Sequence, residues 1–278
     1  MRAVLGMTGL LSVCALVSAG VPAVAAPAGL PRGAPSVRFL SNDTVRGAGA
    51  AAVVRLAVRC APSTGSFVVE LSVRQPGAGG AVANGFATGT CTGTKEIVTA
   101  PVEAGAVPED APFDSSDHRL SSGAATAQAY TLLCDDNGCD DVLYPPRSVT
   151  LTDSGRLDRL SASDGPTTYT IGKRWRLTPG GNAAVATLHI TCPAGASVPL
   201  DSLDLWSVRT AGHVQRSTSV VSVPPPPPTV QCNGEPKKAR VLLFPADPVP
   251  GQHIHGGVGF AHFFVNGVEA WGQVHLRR

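Results

Sequence analysis

A twelve-residue segment occurs twice in this chain, and each copy ends on a cysteine. Gly49-Ala50-Ala51-Ala52-Val53-Val54-Arg55-Leu56-Ala57-Val58-Arg59-Cys60 aligns without a gap with Gly181-Asn182-Ala183-Ala184-Val185-Ala186-Thr187-Leu188-His189-Ile190-Thr191-Cys192. Further on, Ser72-Val73-Arg74 matches Ser207-Val208-Arg209, and Thr90-Cys91-Thr92-Gly93 resembles Gln231-Cys232-Asn233-Gly234. The features keep their order while the spacing between them drifts, as expected of a duplicated domain. Whatever one copy folds into, the other must fold into as well.

Apolar residues within each copy recur with a period of two. Val53, Leu56 and Val58 flank alternating polar positions, as do those of Phe67 to Val73, and Ile97 to Val102 and Ala124 to Tyr130 continue the series. Clusters of Gly, Pro and Asp separate these runs, which is the pattern of a β-sandwich or barrel. No window sustains a 3.6-residue apolar period, so little helix is expected. The boundaries follow: an N-terminal tail at 26–35, domain 1 at 36–153, a polar linker at 154–166 and domain 2 at 167–278. The run Val223-Pro224 to Pro228 falls between two strands of domain 2 and reads as a stiff loop rather than a ligand motif.

The N-terminus carries Arg2, an apolar run densest at Leu10 to Val17, breaks at Gly20 and Pro22, and the small-residue site Ala23-Val24-Ala25. These are the regions of a signal peptide, 1–25. The run is too short for a membrane span, so the product is expected to be secreted and extracellular. Of seven cysteines, Cys14 leaves with that segment, and an even number in a secreted chain reads as a disulfide framework. Cys60 and Cys91 each end a strand of domain 1, and Cys192 and Cys232 hold the same places in domain 2. The expected bridges are therefore Cys60–Cys91, Cys192–Cys232 and the close pair Cys134–Cys139.

The order of cysteine strand, Val-rich strand, Gly89-Thr90-Cys91-Thr92-Gly93, Gly123-Ala124-Ala125-Thr126-Ala127-Gln128-Ala129 and a Cys-x4-Cys hairpin resembles an uncharacterised family. Its members are secreted, immunoglobulin-like domains of unknown function from actinobacteria. The resemblance covers domain 1 well and domain 2 loosely, since domain 2 lacks the hairpin cysteines. It implies an all-β fold of two tandem immunoglobulin-like β-sandwich domains and export from the cell. It brings no catalytic residues.

Net charge is +2 and the charges are scattered. Lys237-Lys238-Ala239-Arg240 is the one basic cluster and reads as a solvated strand end, so no nucleic acid is expected as a partner. No nucleophile elbow, zinc-protease helix, phosphate loop or dinucleotide fingerprint occurs. Asp117-His118 reads as a solvated turn. Asp135-Asp136-Asn137-Gly138, followed by Asp140-Asp141, reads as a hairpin turn rather than a calcium loop. His253-Ile254-His255 would set both rings on one strand face, and His262 and His275 are further candidates, but no third ligand is placed by the sequence. No cofactor or metal is therefore expected, with His253 and His255 as the metal alternative. The functional expectation is a secreted, non-catalytic binding or surface-interaction module for a polysaccharide, cell-envelope polymer or extracellular protein. The alternatives are an enzyme or inhibitor whose site assembles only in three dimensions, or a His-based metal-binding protein.

One hairpin supplies the candidate binding face. Asn266-Gly267 between apolar runs fixes a register in which Val265 faces Val268, Phe264 faces Glu269, His262 faces Trp271 and Phe260 faces Gln273. Val265, Val268, Phe263, Ala270, Ala261 and Val274 then form a core face. The opposite face carries Phe260, His262, Phe264, Trp271, Gln273 and His275, where domain 1 has Thr126, Gln128 and Tyr130. Aromatics with polar neighbours make a platform for sugars or a partner. The same pattern also fits a face packed under the proline loop or against domain 1.

Overall fold

The computed structural model describes residues 35–40, 43–62, 65–77, 80–105, 116–135, 138–153, 158–200, 203–209, 212–219, 229–246, 253–265 and 268–278. The expected signal peptide, the proline run, Asp136-Asn137 and Asn266-Gly267 lie outside them. The first half contains β1 (Ser36–Phe39), β2 (Asp43–Arg46), β3 (Ala51–Arg59), β4 (Ser66–Arg74) and β5 (Val82–Thr90). It continues with β6 (Glu96–Ala104), β7 (Gly123–Asp135), β8 (Gly138–Leu143) and β9 (Arg147–Thr152). The second half contains β10 (Ser161–Asp164), β11 (Thr167–Ile171), β12 (Arg174–Leu177), β13 (Ala184–Thr191), β14 (Ser197–Pro199) and β15 (Leu203–Val208). Then follow β16 (Val214–Thr218), β17 (Thr229–Gln231), β18 (Lys237–Pro245), β19 (Gly257–Val265) and β20 (Val268–Arg277). No α-helix occurs among the described residues.

Each half closes on itself. In the first lobe the order is β3–β2–β9–β7–β4–β5–β6, and β6 returns to pair with β3. In the second it is β13–β12–β20–β19–β15–β16–β18, and β18 returns to β13. The two rings are the same ring: β2 lies antiparallel to β3 and parallel to β9, and β12 lies antiparallel to β13 and parallel to β20. The duplication read from a few residues is thus carried by the whole strand order. One detail differs. Ser72 pairs with Gln128, whereas Ser207 pairs with Gly259, whose counterpart from the strand starts Gly123 and Gly257 is Ala125. The two Ser-Val-Arg triplets are therefore out of register, and Arg74 corresponds to Trp206.

All three expected disulfides are present: Cys60–Cys91, Cys134–Cys139 and Cys192–Cys232. The equivalent bridges span 31 and 40 residues with Cα atoms 5.3 and 5.6 Å apart. Inside the rings, inward residues of alternate positions form one core per lobe. Val54, Leu56, Phe67, Leu71 and Val102 anchor the first, and Tyr169, Trp175, Leu188, Leu243 and Phe263 the second.

The expected linker, 154–166, does not behave as a connection alone. Arg159 and Trp271 exchange backbone hydrogen bonds of 2.9 and 2.7 Å, and Ser161–Asp164 is strand β10 paired with β11. The signal was the Gly165-Pro166 pair: Gly165 has φ 54° and opens the two-residue turn from Asp164 to its partner Thr167 in β11. The lobes also share a third apolar cluster. Ala50, Ala51, Val53 and Ala104 of the first pack against Trp206, Val214, Phe260 and Trp271 of the second. Residues from Pro31 to Arg278 accordingly form one compact unit.

Candidate functional site

The hairpin register is as the sequence indicated, with Val265 opposite Val268, His262 opposite Trp271 and Phe260 opposite Gln273. The exposure is not that of an open platform. Phe260 is 0 % and Trp271 2 % exposed, and the two rings stack with centroids 6.3 Å apart. Phe264 is half-buried and meets Phe86 of the first lobe edge-on at 5.6 Å. The backbone at Gly47, with φ 58°, comes so close that a Cβ there would lie 2.8 Å from the Phe260 nitrogen. Only glycine permits that approach. The face proposed for binding is thus the face by which the second lobe meets the first. Apolar rings this large stay out of water when a complementary apolar surface exists in the same chain. Gln273 sits at the rim, its backbone N–H directed at Asp158, and His275 alone is open to solvent.

His262 takes a different role from the ligand contact expected of it. Its Nδ1 lies 3.0 Å from Glu103 Oε1 across the seam, and its Nε2 lies 4.0 Å from Glu269 Oε2. Burial alone would depress the imidazolium. The Glu103 hydrogen bond and the charges of Glu103, Glu269 and Asp204 outweigh it and hold the His262 pKa above its usual value. Burial, with help from Glu103, pushes the Glu269 carboxyl up despite the opposing pull of His262 and Arg159. Burial likewise raises Asp43 to about 6, against a backbone hydrogen bond from Arg55.

These three shifts act on stability with one sign. A group whose pKa is higher folded than unfolded stabilises the fold below its unfolded pKa and loses that contribution as pH rises through the folded one. Asp43 and Glu269 lose theirs above the usual carboxylate range, Asp43 through about pH 6, and His262 above 6.5. The melting temperature is expected to fall as pH is raised from 5 to 8, with Asp43 contributing up to about 1.5 kcal/mol of the change over that range. Calorimetry across that range checks it, and a midpoint that climbs with pH refutes the buried assignments.

The other histidine set does not converge. His253 Nδ1 contacts Asn182 Oδ1 at 3.0 Å, and His255 is exposed. His262 is committed to the seam, and His275 lies opposite Val258. Asp140 and Asp141 are exposed on β8. No helix among the described residues is long and apolar enough to cross a membrane.

What the sequence did not reveal is a cationic face on the second lobe. Alternate residues of β18 point outward: Lys238, Arg240, Leu242 and Phe244, the last two 48 % and 43 % exposed. Beside them on β13, His189 faces Lys238, Thr187 faces Arg240 and Val185 faces Leu242. Arg176 of β12 faces Val185 from the other side, and β20 runs parallel to β12 with His275 beside Arg174 and Arg277 beside Arg176. The outward positions of β12, β13 and β18 carry no carboxylate. Strands about 4.8 Å apart bring these like charges into one field, which raises the local concentration of anions. In the sequence the same charges are 60 or more positions apart between β12 and β18, and only closure of the ring joins them.

The equivalent surface of the first lobe is informative. Ala51 pairs with Glu103 on β3 and β6, and both residues face the seam. Counting back from Cys60 and Cys192 along β3 and β13, and across their pairings with β6 and β18, Glu103 corresponds to Phe244 and Val53 to Val185. The second lobe therefore leaves open the face that the first lobe uses for docking. Architecture and site together define a disulfide-stapled, two-barrel all-β protein with a cationic open face. No known protein family and no curated protein matches the chain.

Proposed function

We propose that this chain is a secreted, non-catalytic binding module and that its ligand is an anionic polymer of the cell envelope. Each lobe is read as an immunoglobulin-like sandwich whose edges touch. In the first, β2 crosses from β3 to β9 and a pairing of Ala83 with Ala104 and Asn84 with Glu103 joins β5 to β6, so two layers become one ring. The resemblance to secreted actinobacterial domains belongs to this reading. The signal-peptide pattern and three disulfides support export.

The observation that carries the ligand class is the face bearing Arg174, Arg176, Lys238, Arg240 and Arg277 around exposed Leu242 and Phe244. Spaced cations on a rigid sheet suit a repeating anion, and the apolar pair offers a surface for the sugar or polyol backbone between charges. The mature protein is expected to bind polygalacturonate or a poly(glycerol phosphate) chain, more weakly as salt rises, and not neutral dextran. The double substitution Arg176→Gln with Arg240→Gln is expected to weaken binding about tenfold, each exposed ion pair contributing up to about 1 kcal/mol. Its melt stays unchanged, because both side chains are exposed. Undiminished binding by that variant removes the face from consideration. Equal affinity for dextran, or for duplex DNA at the same salt, overturns the ligand class.

A further inference from the structure

We propose that Asp117, His118 and His213 form a zinc-type metal site that ties the first lobe to the second. Asp117 and His118 lie ahead of β7 in the first lobe, and His213 lies at the start of β16 in the second. The two segments form an antiparallel bridge in which His118 faces His213. Arg119 N–H donates to Gly212 O, and Val214 N–H donates to Asp117 O, so the hydrogen bonds flank the histidine pair. That makes it a non-hydrogen-bonded pair, the arrangement in which opposite side chains stand closest. The imidazole centroids are 4.6 Å apart and tilted by 38°. Asp117 Oδ2 lies 3.0 Å from His213 Nδ1, and one donor atom from each of the three residues falls within 4.8 Å of the others.

The backbone is held while the ligands retain freedom. Leu120 N–H donates to Gly49 O at 2.8 Å and His118 N–H to Ser116 Oγ at 3.2 Å, anchoring the first segment. Asp117 and His213 are 57 % and 41 % exposed, so small rotamer changes bring donors to the spacing of roughly 3.3 Å that a tetrahedral ion with bonds of about 2.05 Å requires. Two imidazoles and one carboxylate suit zinc or copper; calcium and magnesium want more oxygen ligands. The fourth position opens beside a cleft of about 400 Å³ lined by Gln75, His118, Arg119 and Gly212.

Tag-free mature protein titrated with Zn²⁺ is expected to bind one ion saturably at micromolar concentration and to melt roughly 5 °C higher when the ion is in large excess over its dissociation constant. His118→Gln with His213→Gln is expected to abolish the shift and weaken binding more than tenfold. His253→Gln with His255→Gln is expected to leave both unchanged. Cu²⁺ in the same site should give an electron paramagnetic resonance spectrum with coupling to two imidazole nitrogens. Zinc that binds the His118/His213 variant as tightly as the parent, an absence of saturable binding at 100-fold molar excess, or a copper spectrum without imidazole coupling overturns the site.

Discussion

Replacing Trp271 by alanine is expected to lower stability by about 3–5 kcal/mol, the range for removing a large aromatic from a packed interior. Trp271 is 2 % exposed and stacks on Phe260. It packs in the cluster that joins Ala50, Ala51 and Val53 of the first lobe to Trp206 and Val214 of the second. Truncation opens a cavity across a seam whose walls belong to two separately closed rings, so collapse to fill it is limited. The contrasting substitution is Phe244→Ala, on a side chain 43 % exposed, which is expected to move the unfolding midpoint by 0.5 kcal/mol or less. Denaturant unfolding followed by tryptophan fluorescence and by circular dichroism reads both. If Trp271→Ala unfolds like the parent, the seam is not formed in solution and the hairpin face is free to bind. That result would restore the open platform.

Removing the Cys192–Cys232 bridge is expected to cost about 4 kcal/mol, because it releases a 40-residue loop in the unfolded chain. The Cys60–Cys91 bridge spans 31 residues and is expected to contribute nearly as much, while Cys134–Cys139 spans 5 and contributes about 2 kcal/mol. The ordering is the testable part, since all three bridges lie between strands of their own lobe. Paired Cys→Ala variants, unfolded under identical conditions, should rank 192/232, then 60/91, then 134/139. A larger loss from the short hairpin bridge than from either long one contradicts the chain-entropy account. A non-reduced peptide map joining the lobes through cysteine contradicts the pairing itself.

The open face of the second lobe and the covered face of the first carry a legible difference in retrospect. β3 reads Ala51-Ala52-Val53-Val54-Arg55-Leu56-Ala57-Val58, nearly continuous in apolar residues, because Ala52, Val54, Leu56 and Val58 line the core while Ala51 and Val53 meet the second lobe. β13 alternates instead: Ala184, Ala186, Leu188 and Ile190 are buried, and Val185, Thr187 and His189 face out. A strand buried on both sides loses its alternation. That signal was present in the aligned repeat, and it marked which copy is covered. The strand β10 was obscured for the opposite reason: its residues, Ser161-Ala162-Ser163-Asp164, are as polar as a loop, and its placement depends on pairing with β11.

By itself the sequence determined the β alternation, the core face and register of the last hairpin, and the cysteine pairs. All of these follow from period-two burial, from turn chemistry and from order along the chain, which act over a few residues or are duplicated and so can be compared. Only the tertiary structure decided what the outward faces meet. Glu103 reaches His262 across 159 residues, and Asp117 reaches His213 across 96. Arg176 and Arg240 share a surface because β13 lies between their strands. An outward side chain is polar or apolar in the sequence, but its partner is fixed by how two closed rings pack, and ring packing follows from the fit of whole surfaces.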